Sequence, residues 1–92
     1  MSVPPWLRRP EDVNALVGIL WPANVARGSD GVLEVAGVRV DEIAAMHGTP
    51  AYVLDEADLR DRARAFRDAF APATIYYAGK AFLSKAVVRI IA

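Results

Sequence analysis

Thr74-Ile75-Tyr76-Tyr77-Ala78-Gly79-Lys80 is the stretch that decides how this chain reads. From Thr74 to Ala78 it is β-branched, aromatic or small, with no alternation of polar and apolar positions. That pattern suits a strand covered on both faces, as strands of parallel sheets are. Immediately upstream lies the strongest helical pattern in the sequence. Asp55 is placed to cap it, and Leu59, Ala63, Phe66 and Phe70 fall on one stripe among charged residues. Asp58 with Arg62, and Arg64 with Asp68, stand four residues apart as i,i+4 pairs, while Arg60 and Arg64 repel at the same spacing. A helix that leads into a buried strand predicts an α/β fold.

Downstream, Leu83, Val87 and Ile90 form a second apolar stripe, widened by Val88 and Ile91, and the chain stops at Ala92 with neither glycine nor polar tail. A terminal helix so apolar is expected to pack against sequence lying beyond these residues. Between Gly48 and Asp55, the apolar run Ala51-Tyr52-Val53-Leu54 follows Pro50. Further back, Val32, Leu33, Val35, Val38 and Val40, punctuated by Asp30-Gly31 and Ala36-Gly37, predict a β-hairpin. Ala36 would need a positive φ in a two-residue primed turn, so a three-residue loop with Gly37 in the left-handed region is expected. Asp41 then reads as the N-cap of a short helix through Met46 that Gly48 closes. Residues 1–30 hold four of the six prolines and both tryptophans and read as an irregular arm. Its one helical candidate runs through Val13, Leu16, Val17 and Leu20 before Pro22, and Trp6 and Trp21 are expected to anchor the arm to a neighbouring surface.

Composition narrows the function. Ninety-two residues, 54% hydrophobic and 24% charged, describe one small domain or a piece of a larger one. A compact chain of this length buries only roughly 60–65% of its unfolded surface, so an elaborate site needs more protein. Eleven basic residues balance eleven acidic ones, and the arginines alternate with aspartates instead of forming a stripe, which argues against a nucleic-acid partner. Without cysteine there is no disulfide, thiolate zinc site or thiol nucleophile, and no metal site is expected. No apolar run reaches the ~18 residues of a membrane span, and the expected location is the cytoplasm.

Only two of the eleven basic residues are lysines, Lys80 and Lys85. Lys80 directly follows the apolar run, between Gly79 and Ala81, where there is room for a ligand to approach. Taken out of water, an ammonium loses its charge more readily, and the neutral amine forms a Schiff base with an aldehyde. The plainer reading has Lys80 extending from a strand end into solvent.

Two stretches carry a family resemblance: Tyr76-Tyr77-Ala78-Gly79-Lys80-Ala81-Phe82-Leu83, and Gly48-Thr49-Pro50-Ala51-Tyr52-Val53-Leu54-Asp55 ahead of it. Together they resemble the N-terminal part of the diaminopimelate decarboxylases, fold-type III enzymes that depend on pyridoxal 5'-phosphate. The resemblance extends more loosely to Leu20-Trp21-Pro22 and Asp30-Gly31-Val32-Leu33. It implies that residues 49–92 are the first strand–helix units of a (β/α)8 TIM-type barrel. Residues 1–48 would be an arm and hairpin belonging to a β-rich second domain. Lys80 would be the catalytic and cofactor-binding residue, holding pyridoxal phosphate as a Schiff base at a C-terminal strand end, where such barrels place their chemistry. The implied reaction converts meso-2,6-diaminopimelate to L-lysine and CO2 in lysine biosynthesis, by a homodimer with active sites at the subunit boundary. The family's glycine-rich phosphate site, acidic partner for the pyridine nitrogen, cysteine-bearing segment and Glu-Pro-Gly-Arg segment are missing, so the chain is expected to be a fragment, inactive alone.

The sequence continues Lys80-Ala81-Phe82-Leu83-Ser84, unlike the Lys-Ala-Asn-Ala-Tyr-Gly of alanine racemases and the Lys-Ala-Asn of many related decarboxylases. Ornithine, arginine or carboxynorspermidine decarboxylation therefore stands as an alternative, as does a non-catalytic docking module. His47 at a helix end reads as structural, and Ser84 and Lys85 at the start of the last helix receive no role. Tyr76 and Tyr77 point to opposite faces of a strand, so at most one of them lines a cofactor pocket.

Overall fold

Hydrogen bonds that close within a few residues account for nearly all the regular structure. A computed structural model describes residues 2–92. Strands β1 (Val25–Arg27), β2 (Leu33–Val35) and β3 (Val38–Arg39) form an antiparallel meander in that order. Helices α1 (Val40–His47), α2 (Glu56–Ala69) and α3 (Lys85–Ile91) follow. The chain is thus a small α/β arrangement of one three-stranded sheet and three helices.

The hairpin forms where expected, but with a different turn. Val35 pairs with Val38, leaving only Ala36 and Gly37 in the loop, at φ 50° and 81°. Both central residues are left-handed, the requirement of a two-residue type I′ connection, whose twist matches that of the strands. The three-residue loop expected from Ala36 is therefore corrected. The match to strand twist outweighs the roughly 1–2 kcal/mol that a left-handed conformation costs an L-residue. β1 was not foreseen, since three residues are too few to show alternation. It pairs Val25 with Val35 and Arg27 with Leu33 across the Asp30-Gly31 turn. There Asp30 Oδ1 accepts from the Val32 amide at 3.2 Å, and the Arg27 guanidinium donates to the Gly31 carbonyl at 2.8 Å.

The helical expectation for residues 11–20 is not met. Turns occupy that span, and it gains a single long-range polar tie, from the Arg27 guanidinium to the Asn14 carbonyl at 3.0 Å. A short amphipathic stripe with nothing to pack against does not nucleate a helix in water. Trp6 remains 80% exposed and Trp21 is partly exposed, so neither anchors the arm within these residues.

α1 begins two residues earlier than Asp41 as N-cap predicts. Its N-cap is Arg39, without a side-chain cap bond, and Asp41 sits in the first turn, where a carboxylate still favours the positive helix end. Gly48 closes α1 as expected, at φ 76° with its amide bonded to the Ala44 carbonyl. α2 starts as predicted, with Asp55 Oδ1 accepting from the Asp58 amide at 3.0 Å. The Asp58–Arg62 pair forms at 2.9 Å. Arg64 instead turns back to Asp61 at 3.0 Å, leaving Asp68 to its neighbour Arg67, and Glu56 pairs with Arg60. These surface pairs are each worth a few tenths of a kcal/mol.

The largest departure concerns the predicted buried strand. Residues 74–78 belong to no sheet, and Tyr76 is 88% exposed. Residues 51–54 are equally unpaired, with Tyr52 fully exposed. A strand's hydrogen bonds and cover come from neighbours distant in sequence, and no described residue supplies them. α2 and α3 pack on each other, and Val87 is the one buried hydrophobic side chain among the described residues. The stacked rings of Phe66 and Phe70, 6.1 Å apart, stay more than half exposed. The radius of gyration is 17.2 Å, against about 12 Å for a compact chain of this length.

Candidate active site around Lys80

The segment that carries Lys80 is short and closed on itself. Ala78 to Ala81 form a turn, the Ala81 amide donating to the Ala78 carbonyl at 3.1 Å. Tyr77 reaches over it, its hydroxyl donating to the Phe82 carbonyl at 2.6 Å. Leu83 packs beneath Gly79, since a Cβ at Gly79 would lie 3.5 Å from the Leu83 methyl carbons, an ordinary contact. Ser84 then caps α3, Oγ accepting from the Val87 amide at 3.2 Å. Lys80 stands at the apex of this turn.

Its side chain is exposed, so the desolvated surroundings expected for Lys80 are not supplied by the described residues. All six ion pairs among those residues use arginine, and neither Lys80 nor Lys85 is engaged in one. Two shallow hollows occur. One lies between the hairpin and the start of α2, lined in part by Val35, Ile43, Leu54 and Arg60. The other lies at the start of α3, lined by Leu83, Ser84, Lys85, Val88 and Arg89. Lys80 lines neither. His47 ends α1 and is exposed. Among the described residues no group of three or more metal-ligating side chains assembles, and no helix is long and apolar enough to cross a membrane.

No protein-family model matches the chain. Curated proteins do. Over 86 residues the chain is 44% identical to the diaminopimelate decarboxylase of Corynebacterium efficiens, a match covering 92% of this chain and 19% of that protein. It is 35% identical over 89 residues to the Mycobacterium leprae enzyme of the same name, covering 96% of this chain and 19% of that protein. The Actinosynnema pretiosum diaminopimelate decarboxylase is 47% identical over 73 residues, covering 79% and 16%. The chain is similar to a segment of these diaminopimelate decarboxylases. It spans about a fifth of the length of the curated relatives it matches.

Within this matched segment lie two polar arrangements that the sequence did not reveal. Asp55 was foreseen as a cap, but not its burial: it is 4% exposed, and Oδ2 has no hydrogen-bond partner. The second is on the hairpin. The Arg39 guanidinium grips Asp41 through two hydrogen bonds, of 2.7 and 3.0 Å, and Asp30 through a third of 2.7 Å, tying the β1–β2 turn to the start of α1. Arg-x-Asp spacing was the available signal, but the contact with Asp30 spans nine residues. Hydrogen bonds from Arg39 hold both carboxyls below the usual aspartate value, with the Val32 amide assisting at Asp30.

A pH dependence follows. Because both carboxyls have depressed folded values, the clamp contributes stability above the ordinary aspartate value of 3.8, and loses it as the pH falls through the folded values. Amide exchange in residues 25–39, corrected for its intrinsic pH dependence, is expected to quicken below that point in the native chain and to lose this dependence in Arg39→Met. Identical profiles for the two would refute the clamp.

Proposed function

We propose that the protein containing this segment decarboxylates meso-2,6-diaminopimelate to L-lysine and CO2 with pyridoxal 5'-phosphate, and that Lys80 is its cofactor-bearing residue. The observation that carries the reading is the coincidence of the family match with a lysine at the apex of a turn directly after an unpaired, β-branched and aromatic segment. The residues present fit the group: Lys80 is exposed, flanked by Gly79 and Ala81, and held in no ion pair among the described residues.

When bound, pyridoxal phosphate supplies the electron sink for the pair left behind as CO2 departs. Lys80 Nζ would hold the group through its aldehyde carbon, as the amine that bears it. Gly79 and Ala81 leave the approach to Nζ open. Tyr77 and Leu83 hold the backbone on either side of it.

In this reading residues 49–92 are the opening strand–helix units of a (β/α)8 barrel. Residues 51–54 and 74–78 are barrel strands completed by neighbours from the rest of the protein, and residues 1–48 join a β-rich domain. The exposure of Tyr52, Val53, Ile75 and Tyr77 supports this, because parallel strands need cover on both faces. The whole protein would act in the cytoplasm as a homodimer on a small amino acid, with neither nucleic acid nor membrane as partner.

Borohydride reduction of the full-length protein with pyridoxal phosphate, followed by peptide mass mapping, tests the assignment. The reduced label is expected on Lys80. A label confined to another lysine, or no label, overturns it.

A further inference from the structure

The Lys80 turn is closed twice, and the second closure is made by a side chain. We propose that Tyr77 is a positioning residue for Lys80. Its phenol ties the end of the 74–78 segment to the backbone just ahead of α3, so that the amine between them is presented in one direction to a carbonyl-bearing ligand. The inference rests on the reading of Lys80 as the cofactor-bearing residue.

Three observations carry it. The hydroxyl-to-carbonyl distance is 2.6 Å, a short hydrogen bond, and it spans residues 77 to 82, bracketing Lys80. The bracket lies outside the backbone turn from Ala78 to Ala81, so the loop is held at two successive levels. Beyond Phe82 the chain enters Leu83, packed under Gly79, and Ser84, the cap of α3. The phenol therefore links the lysine-bearing turn to a helix whose Val87 is buried. Without it, the turn keeps one backbone hydrogen bond and the amine samples a wider cone. Attack on a carbonyl depends steeply on such placement, a 1 Å displacement costing about a hundredfold in rate.

Tyr77→Phe removes one oxygen and keeps the ring. In the full-length protein, the rate of borohydride-trapped labelling by pyridoxal phosphate is measured at Lys80 and, on the same peptide digest, at every other lysine. Tyr77→Phe is expected to slow labelling at Lys80 by about tenfold, inside the range for a sub-ångström displacement, and to leave the other lysines unchanged. In turnover assays kcat falls while KM stays. Unchanged labelling at Lys80 overturns the inference. So does a general rise at the other lysines, which would mean that the hydroxyl only stabilises the fold. Absence of Lys80 label in the unsubstituted protein instead removes the functional assignment on which the inference stands, so the two failures are distinguishable.

Discussion

Lys80→Arg in the full-length protein is expected to abolish the reduced cofactor label and to lower decarboxylation by roughly 10²-fold or more, because the amine that would hold and place the cofactor is lost. Arginine keeps the positive charge and much of the side-chain length. It does not lose its proton near neutral pH, so it has no free amine to join an aldehyde. The substitution therefore separates two roles for this position. If Lys80 served only as a solvated cation at a turn, arginine would do as well, since the site is exposed and makes no ion pair. Steady-state rates together with the peptide map decide the matter: wild-type activity in Lys80→Arg would end the assignment. Substitution of Lys85 on α3 is the matched control, expected to retain both label and turnover.

The second large effect concerns residues 1–92 on their own, which are expected to unfold without a cooperative transition. A two-state domain near this length absorbs about 60–80 kcal/mol at its midpoint, because a single core breaks at once. Here the described residues bury one hydrophobic side chain, Val87, and leave 8136 Å² accessible, where about 5,200 Å² is usual for a compact chain of this mass. α2 has fourteen residues, a cap and four ion pairs along its length, near the margin at which an isolated helix persists in water. Circular dichroism should show helix content draining away gradually with temperature, with no calorimetric peak. A sharp transition with matching calorimetric and van 't Hoff enthalpies, in a monomer, would refute this.

What was legible in the sequence is what local forces determine. Asp55, the Leu59–Phe70 stripe and the Asp58–Arg62 pair announced α2, and Gly48 announced the end of α1, because caps, stripes and i,i+4 pairs act over a single turn. Lys80 stands out by composition and by its Gly-Lys-Ala surroundings. Less legible was whatever depends on a partner. Residues 74–78 read as a covered strand because their side chains suit one, but the ladder that makes a strand is contributed by other strands. Val13, Leu16, Val17 and Leu20 have helical spacing but no surface to meet, and spacing alone does not overcome nucleation. The Ala36-Gly37 turn was misjudged because local strain at Ala36 was weighed without the twist of the strands it joins. Tyr77 was expected on one face of a strand, and its bond to Phe82 depends on how the chain turns after Gly79, which no periodicity encodes.

The preference for arginine in every ion pair has a chemical corollary. Guanidinium groups ignore aldehydes, so a reactive carbonyl drifting over this surface finds nine inert cations and only two side-chain nitrogens with which to condense. A lysine-rich exterior would scatter such a reagent among bystanders. Here the scarcity of competitors itself confers selectivity, before any pocket has closed around the guest.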